Sequence, residues 1–498
     1  MHFDFCILNL RLTFYGGARS VTGANYLLEI GDPVKSFDKT QDHGVSTKIL
    51  VDCGMFQGSK YSEDLNYEKF SYDPSGIDFV FITHSHTDHV GRLPKLYKEG
   101  FRGKVFATEP TIALIKKALP DNFNLIKNEA EKDGHEPLFT LEDLDGVINL
   151  TEGFGYEEAI RLDNGITAVF HDAGHILGSA IIEIQFPNQN QKSPKRPVAL
   201  GALLAKIKNQ NFGKIYFTGD LGNPPTPLLP PPFFPKDADY IVIESAYGSR
   251  VHEDRDERKN ILQKVVMGTI QRGGVLMIPS FAMERTQELL YEFNSLLNDK
   301  KIPEIPIFLD SPLATNLTEI YKKHSDYFNK ETTYIINSGD DIFNFPGLRF
   351  TRTIEESKQI NAVSPPKIII AGSGMSTGGR ILHHERRYLQ DPNSTILFIG
   401  YQVKGSLGRK ILDEEKEVRI FGEKVPVNCE VEAIGGYSAH ADQKMLVDWV
   451  RTVAGGGKLK KVFVVQGEEE SSLALAREIE GVLKVDAVVP KQGEGFAL

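Results

Sequence analysis

The sequence predicts an α/β protein of two domains. Two observations carry this expectation. Short apolar runs that stop at Gly, Asp or Ser alternate with helical stretches along the whole chain. The chain also has 498 residues, and beyond roughly 250–300 residues a single hydrophobic core stops growing and chains divide. In order, LRLTFYGG, ANYLLEIG, KILVDCG and IDFVFITHS read as strands and PTIALIKKAL as a helix. ITAVFHDAG, KIYFTGD, DYIVIES, GGVLMIPS, IPIFLDS, KIIIAGSG, STILFIGY and KVFVVQG read as further buried strands, and RILHHERRYL as a helix. Residues 31–48 and 187–213 are polar and aperiodic, as surface insertions are. A proline-rich connector, NPPTPLLPPPFFP at 223–235, marks a domain transition shortly after it.

Composition narrows the class. With 41% hydrophobic and 25% charged residues, the chain reads as a soluble globular protein, without the signature of disorder, collagen or a coiled coil. No run approaches the roughly 20 apolar residues of a membrane span, and the amino terminus lacks the basic start of a secretory signal. Three scattered cysteines, Cys6, Cys53 and Cys429, form no CxxC pair, which points to a reducing compartment, the cytoplasm. A net charge of −10 argues against a protein that coats nucleic acid. It leaves room for an enzyme with a narrow basic channel and a divalent cation.

The sharpest local signal is His84-Ser85-His86-Thr87-Asp88-His89, directly after the strand DFVFIT. Four potential ligands in six residues on the turn leaving a buried strand aim several donors at one point, and imidazole with carboxylate suits Zn²⁺ and similar ions. One such residue alone is usually structural, as an Asp at a strand end is usually a turn or cap residue.

HSHTDHVGRLP resembles the defining motif of the metallo-β-lactamase superfamily. Asp52 in ILVDCGMFQG, His175 in HDAGHILGSA and Asp220 in YFTGDLG resemble its other motifs, in the expected order, and the resemblance runs from about residue 11 to the end. It implies a metallo-β-lactamase αββα sandwich and two Zn²⁺. His84, His86 and His175 would hold one ion, Asp88 and His89 the second, and Asp220 would bridge them, with Asp52 orienting a ligand or water. Such a pair activates water and steadies both oxygens of a phosphodiester undergoing displacement.

After Asp220, ADYIVIESAYGSR and EAIGGYSAHADQ resemble β-CASP motifs A and B, with Glu244 and His440; PSFAMERTQELLY, LDSPLA and AGSGMSTGGRILHH lie between them. The resemblance is to the β-CASP nucleases, including the cleavage and polyadenylation nuclease subunit. It implies a first metallo-β-lactamase part at 1–231, an inserted β-CASP α/β domain at 232–425 and a completing part at 426–498. The implied activity is hydrolysis of single-stranded RNA by an endonuclease, with a 5′-3′ exonuclease mode as well. His440 would protonate the leaving alkoxide, held in the right tautomer by Glu244, with Asp88 and Asp220 completing the catalytic set. Ser373, Gly374, Ser376 and Gly378, with Arg380 and Lys404, are expected to meet substrate phosphates; Arg285 and Arg409 are further candidates, whereas His383 and His384 read as structural. A homodimer is implied by the resemblance alone.

One position departs from the pattern. Where motif C supplies a histidine for the second ion, KVFVVQGEEES has Gln466. A neutral amide oxygen is a poorer zinc ligand than imidazole, so the second ion is expected to be weak, exchangeable or replaced by Mn²⁺. The competing class is a catalytically impaired RNA-binding scaffold. A small-molecule hydrolase is disfavoured by the β-CASP landmarks, and DNA stays open as a substrate.

Overall fold

The computed structural model describes residues 9–31, 46–58, 60–187, 212–252, 257–434 and 438–498. Most of both polar insertions, Cys6, and residues 435–437 of the segment around His440 lie outside this set. Apart from Ser46, the insertions' described ends are strand residues. The chain forms two units. The first is made of Met1–Pro224, Pro231–Val251 and His440–Leu498, and the second of Pro225–Pro230 and His252–Ala439.

The first unit begins with β1 (Asn9–Gly16), β2 (Asn25–Gly31), β3 (Thr47–Val51), β4 (Phe79–Phe81), β5 (Lys104–Thr108) and β6 (Thr151–Phe154). It continues with β7 (Ala159–Arg161), β8 (Thr167–Asp172), β9 (Ala180–Pro187), β10 (Phe212–Phe217) and β11 (Tyr240–Glu244). In the second unit come β12 (Val275–Pro279), β13 (Ile307–Asp310), β14 (Leu348–Phe350), β15 (Lys367–Ala371), β16 (Thr395–Phe398), the hairpin β17 (Glu417–Ile420) and β18 (Glu423–Pro426), and β19 (Glu430–Ala433). The chain then returns to the first unit with β20 (Lys461–Val465), β21 (Ala487–Val488) and β22 (Glu494–Ala497).

The first unit is a helix–sheet–sheet–helix sandwich. One sheet has the order β22-β1-β2-β3-β4-β5-β6 and the other β21-β20-β11-β10-β9-β8-β7. Alternation along the strands makes the sandwich. Leu10, Leu12 and Phe14 of β1 meet Ile182, Ile184, Phe217, Val242 and Phe463 between the sheets. Leu50 and Val80 face outward under the helices Leu93–Lys98, Glu109–Asp133 and Leu141–Ile148. On the far side Ile241, Ile243 and Val464 lie under the helices Gln443–Ala454 and Glu469–Leu483, with Trp449 fully buried. β11 lies between β10 and β20 and runs parallel to both, so the returning segment completes the sheet that carries Asp220 and Glu244. In the second unit a parallel sheet, β14-β13-β15-β12-β16-β19, carries its own apolar core. Among the described residues no helix is long and apolar enough to cross a membrane. Cys53 and Cys429 are buried and unbridged.

A charged cluster lies on the outer face of the second sheet. His171 Nδ1 is 2.6 Å from Glu157 Oε1 and its Nε2 is 2.9 Å from Glu183 Oε2, while its ring stacks on Phe233 at 4.1 Å. Burial opposes the imidazolium, but the bonds to Glu183 and Glu157 raise its pKa above the ordinary value. Burial likewise opposes the Glu183 carboxylate, yet His171 and Tyr216 bring its pKa down to about 2. The histidine's contribution to stability is therefore complete below about 6.5 and is lost as pH rises through its raised value; that of Glu183 is complete above about 4.3 and lost only toward pH 2. His171→Phe, which keeps a ring on Phe233 but leaves Glu183 only the more distant Lys214 at 3.7 Å as a cation, is expected to cost about 2 kcal/mol near pH 6. Thermal melts from pH 6 to 9 check this: the deficit should narrow as pH rises, and a pH-independent deficit would reject the pairing.

Candidate metal centre

The centre is assembled at the carboxyl ends of buried strands, where the backbone leaves the sheet and side chains can converge. Asp52 follows β3 in a left-handed conformation, φ +60°, which costs little for Asp. Its two oxygens anchor the next loop. Oδ1 accepts from Thr83 N at 2.8 Å, and Oδ2 accepts from Thr83 Oγ1 at 2.8 Å and from His89 Nδ1 at 2.7 Å. The loops after β3 and β4 are joined through their backbones, Cys53 N donating to His89 O and Met55 N to Thr87 O, and Ala24 N, just before β2, donates to Asp88 O. Gly54 is required there, because a Cβ on it would lie 1.5 Å from the Asp88 carbonyl oxygen.

On this support four ligands converge. His84 Nε2 is 3.0 Å from His86 Nδ1 and 3.5 Å from Asp220 Oδ2. His175 Nε2 is 3.3 Å from His86 Nδ1 and 3.6 Å from the same carboxylate oxygen. Donor atoms of His84, His86, His175 and Asp220 all lie within 4.8 Å of one another. Three imidazoles and a carboxylate this close form a donor set that suits a divalent ion of the zinc kind. Thr83 Oγ1, donating to Asp52, can accept from His84 Nδ1 at 3.1 Å, which leaves the Nε2 lone pair facing the other ligands. Burial, with His89 adding to it, pushes the His84 pKa well below the ordinary value, so the ring is neutral. Burial opposes charge on Asp220, but His89, His440 and His84 hold its carboxyl well below the usual range.

Beside this set stand Glu244 and His440. Glu244 is fully buried at the end of β11, and its Oε1 accepts from Leu221 N at 2.6 Å. His440 forms an isolated antiparallel bridge with Gly222, its Nδ1 lying 3.2 Å from Glu244 Oε2 and 3.8 Å from Asp220 Oδ2. Burial disfavours the imidazolium, but Glu244 and then Asp220 raise its pKa to about 9. With a side chain 29% exposed, it is reachable from solvent.

Asp88 and His89 belong to the same loop but are oriented differently. His89 Nε2 is 3.4 Å from Asp220 Oδ1, 3.6 Å from Asp88 Oδ2 and 3.0 Å from Gln466 Nε2. Burial works against charge on His89, whereas Asp220, Asp52 and Asp88 raise its pKa well above the ordinary value. Burial pushes the Asp88 carboxyl up to about 6.

The candidates in the second unit are turned largely inward. In the loop before the helix Ile381–Tyr388, Ser373 N donates to Gly378 O, Ser376 N to Ser373 O, and Thr377 N to Ser373 Oγ. The amides of Ser373, Ser376 and Thr377 are thus engaged within the loop itself. Ser376 is buried and donates to Glu385, and the Phe281 ring covers Gly374. Gly378 has open space where a Cβ would stand. Arg380, expected at a basic rim, instead pairs with buried Asp310 at 2.7 Å and reaches the Thr351 and Arg352 carbonyls; His384 binds the other Asp310 oxygen at 2.7 Å. Arg285 pairs with Glu288 and Arg409 with Asp413, while Lys404 is exposed. Two further residues support the centre without a motif to mark them: Thr83, which donates to Asp52, and Tyr26, whose hydroxyl lies 3.4 Å from Gln466 Oε1. Thr83 adjoins His84 in the sequence and was open to discovery there; Tyr26 becomes visible only once β1 and β2 pair.

Comparison with known proteins agrees with this layout. A metallo-β-lactamase superfamily domain matches residues 42–192, a β-CASP domain residues 286–411, and a Zn-dependent metallo-hydrolase RNA specificity domain residues 424–490. A ribonuclease of Thermus thermophilus is 35% identical over 468 residues, covering 94% of this chain and 95% of that one. The chain belongs to the β-CASP branch of the metallo-β-lactamase superfamily. Other β-CASP relatives are the transcription termination factors FttA of Methanosarcina mazei, 29% identical over 96% of this chain and 70% of that one, and of Pyrococcus horikoshii, 30% identical over 94% and 68%. The crystal structure of an Enterococcus faecalis protein of unknown function shares the fold, with a TM-score of 0.51, 12% identity and coverage of 98% of this chain and all of that one.

Proposed function

We propose that this β-CASP protein is a metal-dependent ribonuclease that hydrolyses internal phosphodiester bonds of single-stranded RNA, acting in the cytoplasm. The observation that carries the reading is the convergence of His84, His86, His175 and Asp220 beside the Glu244–His440 pair. The likeness to a ribonuclease over nearly the whole chain supports RNA as the substrate class. His84, His86, His175 and Asp220 would hold a Zn²⁺, with Mn²⁺ as an alternative; the bound cation would polarise the phosphate and lower the pKa of water at the site.

The chain's own residues supply the rest. Asp52 and Thr83 fix the histidine loop, so that the ligands need no reorganisation when the cation binds. Glu244, anchored by the Leu221 amide, holds His440 through Nδ1. It also keeps that ring protonated at neutral pH, ready to deliver a proton to the departing oxygen. Incubating the purified chain with a single-stranded RNA and Zn²⁺ or Mn²⁺, with and without a chelator, tests the proposal. Internal cleavage that the chelator stops is the expected result. RNA retained intact under every metal condition would favour the scaffold reading instead.

A further inference from the structure

Asp88 and His89 sit beside the four ligands without joining a convergent set of their own. Among the described residues two groups bring three or more potential donors within 4.8 Å, one of His84, His86, His175 and Asp220 and the other of Asp220, Glu244 and His440; neither contains Asp88 or His89. An amide faces His89 instead. Gln466 Nε2 lies 3.0 Å from His89 Nε2 and 3.3 Å from the Val21 carbonyl oxygen, while Gln466 Oε1 lies 3.4 Å from the Tyr26 hydroxyl. The Val21 carbonyl decides which end of the amide is nitrogen, since the flipped amide would oppose two oxygens with no proton between them. The amide nitrogen thus stands against the ring nitrogen that a cation would use, and His89 Nδ1 is already engaged by Asp52. Both ring nitrogens are occupied.

The amide is firmly held. Gln466 is 3% exposed and its backbone N–H donates to Gly17 O at 2.7 Å. Its φ is +48°, a conformation that a non-glycine residue keeps only when its surroundings impose it. Its Oε1 lies against Gly17, where a Cβ would come within 2.3 Å.

We infer that this centre is built for one cation, on His84, His86, His175 and Asp220. Gln466 is a positioning residue that keeps His89 within an Asp52–His89–Gln466 hydrogen-bond chain, closing the place of a second ion. The inference rests on the hydrolase reading for the ligand set and goes further in fixing the count. It is tested by metal analysis of the full chain, saturated with Zn²⁺ and then dialysed against metal-free buffer. About one Zn²⁺ per chain is expected for the unsubstituted protein and for His89→Ala, and about two for Gln466→His. Two ions on the unsubstituted chain, one of them lost in His89→Ala, would overturn it. Electron paramagnetic resonance of the unsubstituted chain loaded with Mn²⁺ gives a readout independent of any variant's folding: isolated ions are expected, and an exchange-coupled pair overturns the inference. The two readings separate cleanly. One ion without RNA cleavage would reject the ribonuclease and leave the count standing; two ions with cleavage would do the reverse, and no bound ion would overturn both.

Discussion

His440→Ala should slow RNA cleavage by about 10²- to 10⁴-fold, the range a positioned general acid contributes, while metal content stays unchanged. The second half of that expectation follows from geometry, because His440 lies outside the four-residue group that converges on one point. The defect should depend on the leaving group. RNA releases a poor alkoxide that needs a proton, whereas a nitrophenyl phosphodiester releases a phenolate that does not. Rates on both substrates check the assignment: a large loss on RNA with a small loss on the activated ester is expected, and equal losses would remove His440 from the acid role. Glu244→Gln should act in the same sense but more weakly. It leaves a group able to bond His440 Nδ1 while removing the charge that raises its pKa to about 9.

Asp220→Ala should be more damaging, with cleavage falling by 10³-fold or more, since several kcal/mol of cation-derived stabilisation is at stake and each 1.4 kcal/mol is about tenfold. Asp220 is the residue that both convergent groups share. Its Oδ2 faces His84, His175 and His440, and its Oδ1 faces His89. Removing it takes away a ligand and the negative charge that balances the buried imidazoles. Elemental analysis should show the bound ion largely lost. A chelator should lower the thermal midpoint of the unsubstituted chain, because a ligand held only by the folded state stabilises it, and should barely move that of the variant. Full metal occupancy in Asp220→Ala would show that the histidines alone suffice.

Much of this was legible in the sequence because chemistry and fold share a signal. Asp52, Asp220, Glu244 and Gln466 stand at or just beyond the ends of β3, β10, β11 and β20, and His84 follows β4. Apolar runs that halt at a polar residue reveal both the strand and the site. The strand YIVIE, buried throughout, is the clearest example. Short edge strands were not visible: Ala159–Arg161 and Glu494–Ala497 carry little apolar periodicity and exist through their pairing with β8 and β1. The helix read at PTIALIKKAL extends to Asp133, beyond Pro120 and along a largely polar stretch whose periodicity gives no warning of it. The inward turn of Arg380 was equally hidden. Its partner Asp310 is 70 residues away, so a buried ion pair and a basic rim look alike in one dimension.

The returning segment has a consequence for how the protein comes into being. Every residue of the four-ligand group has left the ribosome by Asp220, but His440 emerges only after the whole of the second unit, together with the β20 strand that flanks β11. On the proposed assignment, the half-made polypeptide holds the cation's ligands but not the proton donor, and translation order helps withhold cutting power from an unfinished chain still tethered to the messenger that encodes it.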